Sequence, residues 1–157
     1  MTDKTQLTSG ERDWAQVALT VTVPGVAYSA NDVVGGLITF KGMGKCHLES
    51  VLIADAAGQV VNYRLILFKS TPTTITDNAT YDIADADLRH ILFDRVIDAA
   101  TYQKVYSTNA VHLMDGLDVL LGSMESTGNI YGYLVAVTVP TYAATTDVVV
   151  VLQFMRD

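Results

Sequence analysis

Ile130-Tyr131-Gly132-Tyr133-Leu134-Val135-Ala136-Val137-Thr138-Val139 is a run of β-branched and aromatic residues without a charge. Such residues suit a pleated surface. Val148-Val149-Val150-Val151-Leu152 follows a short polar link and has the same character. An antiparallel strand with one wet face places a polar residue at every second position. Neither run does so, which predicts strands covered on both faces. The cover comes either from the chain's own long loop or from another subunit, since contiguous apolar surface marks an interface.

Working outward, Val17, Leu19 and Val21 alternate with Ala18, Thr20 and Thr22, the period of a half-buried strand over residues 17–23 ending at Pro24-Gly25. Further strands are expected at 37–40, 47–54, 59–69, 92–97, 106–113, 118–121, 130–139 and 148–155. Gly35-Gly36 leads into the second of these, and Asp55-Ala56-Ala57-Gly58 reads as a hairpin-like link. Residues 84–91 suit one or two helical turns with Asp85 as N-cap. Residues 70–82 form a polar loop of about a dozen positions, a length that usually covers a surface or meets a partner. The expected fold is therefore all-β, a jelly-roll-like β-sandwich. Residues 1–14 read as a flexible N-terminal arm and 15–157 as a single sandwich domain, because the first dozen residues carry no apolar pattern.

Composition narrows the function. The chain has 157 residues, half of them apolar and 17% charged, so it is long enough to bury a core without disulfides. A net charge of −7 with no basic run argues against direct nucleic-acid or anionic-membrane binding. The apolar runs are far shorter than the ~20 residues of a membrane span. The polar start is no signal peptide, and the single Cys46 forms no internal disulfide.

No reactive constellation emerges. Cys46, His47, Glu49, Ser50 and Asp55 have the residue types of a nucleophile, base and orienter. Neighbours on a strand point to opposite faces, however, which separates Cys46 from His47. His47, His90 and His112 lack metal-ligand spacing. Asp77, Asp82, Asp85 and Asp87 form an acidic cluster without the order of an EF-hand, so turns and caps explain them better than calcium. Asn78-Ala79-Thr80 matches a glycosylation acceptor but has no secretion signal beside it. Gly35-Gly36 lacks the partners of a phosphate loop. No cofactor or metal is expected, and the chain does not read as an enzyme.

The eight tyrosines remain. Tyr81, Tyr102, Tyr106 and Tyr142 fall in loops or at strand ends, where amphipathic rings stack on sugars or at subunit contacts. Candidate interface residues are Trp14, Tyr81, Tyr131, Tyr133 and Tyr142.

The punctuation of the chain resembles a family of small virion proteins of tailed bacteriophages. The matching segments are Tyr28 to Gly36, Leu67-Phe68, Pro72 to Ala79, Ala84 to Leu88, and Tyr131 through Pro140-Thr141-Tyr142 to Leu152. The resemblance runs from about Tyr28 to the C-terminus. It implies a jelly-roll-like capsid cement or decoration protein, made in the host bacterial cytoplasm and placed on the capsid exterior. Its implied partners are the major capsid protein and further copies of itself, commonly as trimers. No binding residue carries over, because the matching positions read as turns and core. The alternative is a receptor- or glycan-binding virion module on the tail or capsid surface.

Overall fold

The structure, a computed structural model, describes residues 13–21, 25, 27–143 and 147–156. Its elements run β1 (Asp13–Val21), β2 (Val33–Phe40), β3 (Lys45–Asp55), β4 (Tyr63–Phe68), α1 (Asp85–Leu88), β5 (Ile91–Ile97), α2 (Ala99–Tyr102), β6 (Gln103–Tyr106), β7 (Asn109–Met114), β8 (Val119–Gly122), β9 (Ile130–Ala136) and β10 (Val148–Arg156). They build a 6-stranded sheet in the order β1-β10-β3-β7-β6, with β8 also on β3, and a 4-stranded sheet in the order β2-β9-β4-β5.

The pairing is nested. β1 pairs with β10, β2 with β9, β3 with β7 and β8, and β4 with β5, all antiparallel. One long hairpin has been doubled over so that its successive pairs alternate between two sheets, which is the arrangement of a jelly roll. The fold is an all-β, jelly-roll-like sandwich. Inward side chains of both sheets, among them Phe40, Leu48, Ile53, Leu65, Leu67, Leu134, Leu152 and Phe154, form the main core.

Several local expectations are corrected. Residues 55–58 do not close a hairpin, because β3 and β4 belong to different sheets and the turn is a corner between them. Gly35 and Gly36 lie inside β2, at φ 78° and 74°, where the register with β9 shifts between Val34 and Ile38. Both sit in left-handed space that glycine enters without a Cβ penalty, so the pair makes a bulge. The strand expected at 106–113 is two strands, β6 and β7, turned at Ser107, whose φ is 51°. Ala84 holds the N-cap position of α1 with no side-chain bond, so Asp85 is not the cap. α2 was not foreseen; the Asp98 carboxylate caps it by accepting from the Ala100 amide at 2.8 Å.

β1 begins at Asp13, so Trp14 belongs to a strand and not to an arm. Residues 1–12 of the expected arm, residues 22–23 of the expected first strand and Pro24 of its turn lie outside the described residues. No helix among the described residues is long and apolar enough to cross a membrane.

Candidate functional site

The two outer faces of the sandwich are treated differently. Over the 4-stranded sheet, Ile75, Ala79, Tyr81 and Ile83 of the long loop pack on Val33, Ile66, Phe68, Tyr131, Tyr133 and Val135. Every residue of β9 is consequently buried. The loop is bonded in place at several points. The Tyr133 hydroxyl accepts from the Ile75 amide at 3.0 Å and donates to the Thr73 carbonyl at 2.8 Å. The Asp87 carboxylate accepts from the Thr73 amide at 2.8 Å, and those hydrogen bonds hold its pKa below the ordinary carboxylate value. The Val33 amide donates to the Ala79 carbonyl at 2.8 Å and the Asn78 amide to the Val33 carbonyl at 2.9 Å, so the loop also borders the start of β2.

No loop covers the outer face of the 6-stranded sheet among the described residues. Along β10, Val148, Val150, Leu152 and Phe154 point inward and are buried, while Val149, Val151, Gln153 and Met155 point outward and are half-buried. Register sets them in cross-strand rows. One row runs Trp14, Met155, His47, Leu120 and a second runs Ala18, Val151, Leu52, Leu113. A third passes from Thr20 through Val149, Ala54 and Val111 to Lys104. Trp14 is 64% exposed, Leu120 51% and Leu113 41%. Apolar residues predominate in these rows, while a polar row of Gln16, Gln153 and Ser50 separates the first from the second, and His47 Nδ1 lies 2.9 Å from Asp118 Oδ1. Covering a half-exposed Leu or Trp gains roughly 1 kcal/mol or more, half the value for full burial.

At the far end of this face a cleft of about 340 Å³ opens between α2, β6 and β7. Tyr102, Gln103, Lys104, Tyr106, Leu113 and Asp115 line it.

Of the candidate interface residues, Trp14 alone is well exposed. Tyr131, Tyr133 and Tyr142 are buried in their own subunit at 8%, 0% and 1% exposure, and offer nothing to a partner in this fold. Tyr81 is half-buried, packed edge-on against Tyr133 with Arg64 over its ring. Sequence alone places these rings at an interface because it does not show that the long loop folds back over β9. The residues that do form the open face, Leu113, Leu120 and Met155, were missed. Their signal was an alternation in which the outward positions are apolar too.

The reactive groupings are not assembled. Cys46 is buried in the core, whereas His47 points outward from the same strand. Asp77 and Asp87 are engaged with Tyr28, Gly35 and Thr73, while Asp82 and Asp85 are exposed. Among the described residues no three His, Cys, Asp or Glu side chains are grouped to hold a metal ion.

One polar cluster had no sequence signal beyond the number of tyrosines. The buried Asp55 carboxylate accepts from Tyr63 at 3.1 Å and Tyr142 at 3.3 Å, and the two phenols also bond each other. Burial pushes the Asp55 carboxyl and the Tyr142 phenol up. The Asp55 carboxylate also accepts from the Ala57 amide at 2.8 Å, which ties the cluster to the corner between the sheets.

Set against known proteins, the chain matches no family model, and no curated protein matches it. The open apolar face is therefore the principal guide to function.

Proposed function

We propose that this chain is a structural virion protein of a tailed bacteriophage, a capsid decoration protein that grips neighbouring major capsid proteins through the outer face of its 6-stranded sheet. The observation that carries the reading is the asymmetry of the two outer faces: among the described residues, the chain covers one with its own loop and leaves the other largely apolar. A cement must be rigid and must bury area against the shell. A closed sandwich with one unpatterned, largely uncharged face meets both needs. Binding that favours the assembled shell stabilises it by mass action. The resemblance of the segments from Tyr28 to Leu152 to small phage virion proteins supports the same role, and the negative net charge suits a surface that stays soluble.

The test is co-sedimentation of the chain with undecorated capsids of its phage. Leu113→Lys with Leu120→Lys, both at exposed positions, is expected to abolish binding and leave the fold intact. Binding of the double variant equal to that of the native chain refutes the reading.

The cleft at Tyr102 and Tyr106 favours a second reading, a glycan-binding virion module. Two phenol rings beside Gln103, Lys104 and Asp115 supply both the stacking and the polar contacts that a sugar needs. A glycan-array signal lost in Tyr102→Ala and Tyr106→Ala variants supports it, and no signal with the native chain excludes it.

A further inference from the structure

The edges of the two sheets are not equally protected. A free strand edge presents a row of unpaired amides and carbonyls, and proteins blunt such edges with charges, bulges, glycine or short length. Of the five edge strands here, β1, β2, β5, β6 and β8, four are blunted, β8 by its length of 4 residues. β2 has the Gly35-Gly36 bulge, and its start is bonded to residues 78–81 of the long loop. β5 carries Asp94 and Arg95, and β6 is 4 residues long and carries Lys104.

β1 has none of these devices. It is 9 residues long, runs in unbroken register with β10 from Asp13 to Val21, and has no charge after Asp13 and no proline or glycine. Among the described residues no strand pairs with its other edge. Val21 is buried where the end of β1 lies beside β2, but the core is less closely sealed along residues 15–19. The inward residues of β10 are at most 2% exposed, whereas Ala15, Val17 and Leu19 of β1, which point into the same core, are only half-buried.

We propose that the free edge of β1 pairs antiparallel with β1 of a second copy of this chain, about a two-fold axis at Val17. In that register Val17 meets Val17, Ala15 meets Leu19, Gln16 meets Ala18, and Trp14 meets Thr20. The inward residues of both copies then lie on one face and close both cores, and the outward residues share the other. Residues 14–20, which pair with one another in this register, carry no charge, so no like charges meet among them. That neutrality matters for a chain of net charge −7, since any acidic surface of one copy repels another. The pairing is isologous and closed, which yields a discrete dimer. It joins two 6-stranded sheets into one, with their open apolar faces continuous. The inference stands apart from the virion role, because it concerns the isolated chain in solution and is read by mass instead of particle binding.

Sedimentation equilibrium of the full chain across micromolar to submillimolar concentration is expected to show twice the chain mass. Val17→Lys sets two ammonium groups opposite each other and is expected to raise the dissociation constant by roughly tenfold or more. A second variant covers the case in which Val17→Lys fails to fold. Opposed residues of an antiparallel pair lie about 4.5–5.5 Å apart at Cα, within disulfide reach. Val17→Cys is therefore expected to form a cross-linked dimer on mild oxidation, while Thr20→Cys, whose copies lie far apart in this register, does not. Cys46 is buried and does not interfere. A monomer at all concentrations, a trimer, or equal cross-linking at both positions overturns the proposal.

Discussion

The hydroxyl of Tyr28 donates to Oδ1 of Asp77 at 2.8 Å, joining two residues 49 positions apart. The same oxygen accepts from the Gly35 amide at 2.5 Å. A single carboxylate thus ties the long loop to the chain before β2 and to the bulge within it. Burial, followed by the hydrogen bond to Asp77, pushes the Tyr28 phenol well above its ordinary pKa. Two of the segments that resemble phage virion proteins, one starting at Tyr28 and one containing Asp77, are therefore two sides of one joint.

Asp77→Ala leaves the Tyr28 hydroxyl and the Gly35 amide without their acceptor. An unsatisfied buried group costs about 1–3 kcal/mol, so the expected loss is about 2–3 kcal/mol in urea melts. Limited proteolysis is expected to cut within residues 70–83 faster than in the native chain. A variant as stable and as resistant as the native chain contradicts the tie.

At Gly58 the backbone has φ 62°, and an added Cβ would lie 2.5 Å from the Thr108 carbonyl oxygen. Close approach and left-handed geometry act together there, and neither neighbour is a flexible side chain. Gly58→Ala is expected to destabilise by about 2 kcal/mol or more. Thermal melts measure it, and a change under about 0.5 kcal/mol, the usual surface value, argues against the close approach.

His112 is fully buried, its Nε2 3.2 Å from Gln103 Nε2 and its ring edge-on to Tyr63 at 5.2 Å. Burial pushes the imidazole down to about 4. The unfolded chain takes up this proton near pH 6.5, whereas the folded chain does so only near 4. Stability from His112 is therefore full above pH 7 and declines as pH falls from about 6.5 to 4, by at most about 3 kcal/mol. Asp55 works in the opposite sense. Its raised pKa makes the folded state take up a proton first, so its burial penalty eases as the pH falls through that value. His112→Gln keeps a polar end without titrating. The native-minus-variant stability is expected to shrink between pH 7 and pH 4, and a constant difference contradicts the assignment.

On the open face, Leu113→Lys and Leu120→Lys are expected to change folding stability by less than about 0.5 kcal/mol, because both side chains are substantially exposed. Fluorescence of a dye that binds apolar surface is expected to fall in the double variant. Unchanged fluorescence places the apolar surface elsewhere.

Much of the fold was legible. Alternation at residues 17–21 marked β1, the dense apolar run from Ile130 marked β9, and the polar stretch from residue 70 marked the loop. Boundaries erred where a turn hides within an apolar or glycine-rich stretch. Ser107 divides what reads as one strand, and Gly35-Gly36 bends a strand from inside. The site was less legible. Of five predicted interface residues, Trp14 alone is well exposed, Tyr81 is half-buried, and Tyr131, Tyr133 and Tyr142 lie inside their own subunit.

By itself the sequence determined strand character and the presence of more apolar strand face than one core needs. Those are properties of each residue and its near neighbours. Which surplus face stays open was decided by tertiary structure, because burial depends on contacts between distant segments. The joint between Tyr28 and Asp77 lays the loop over β9, and among the described residues no equivalent tie covers β10.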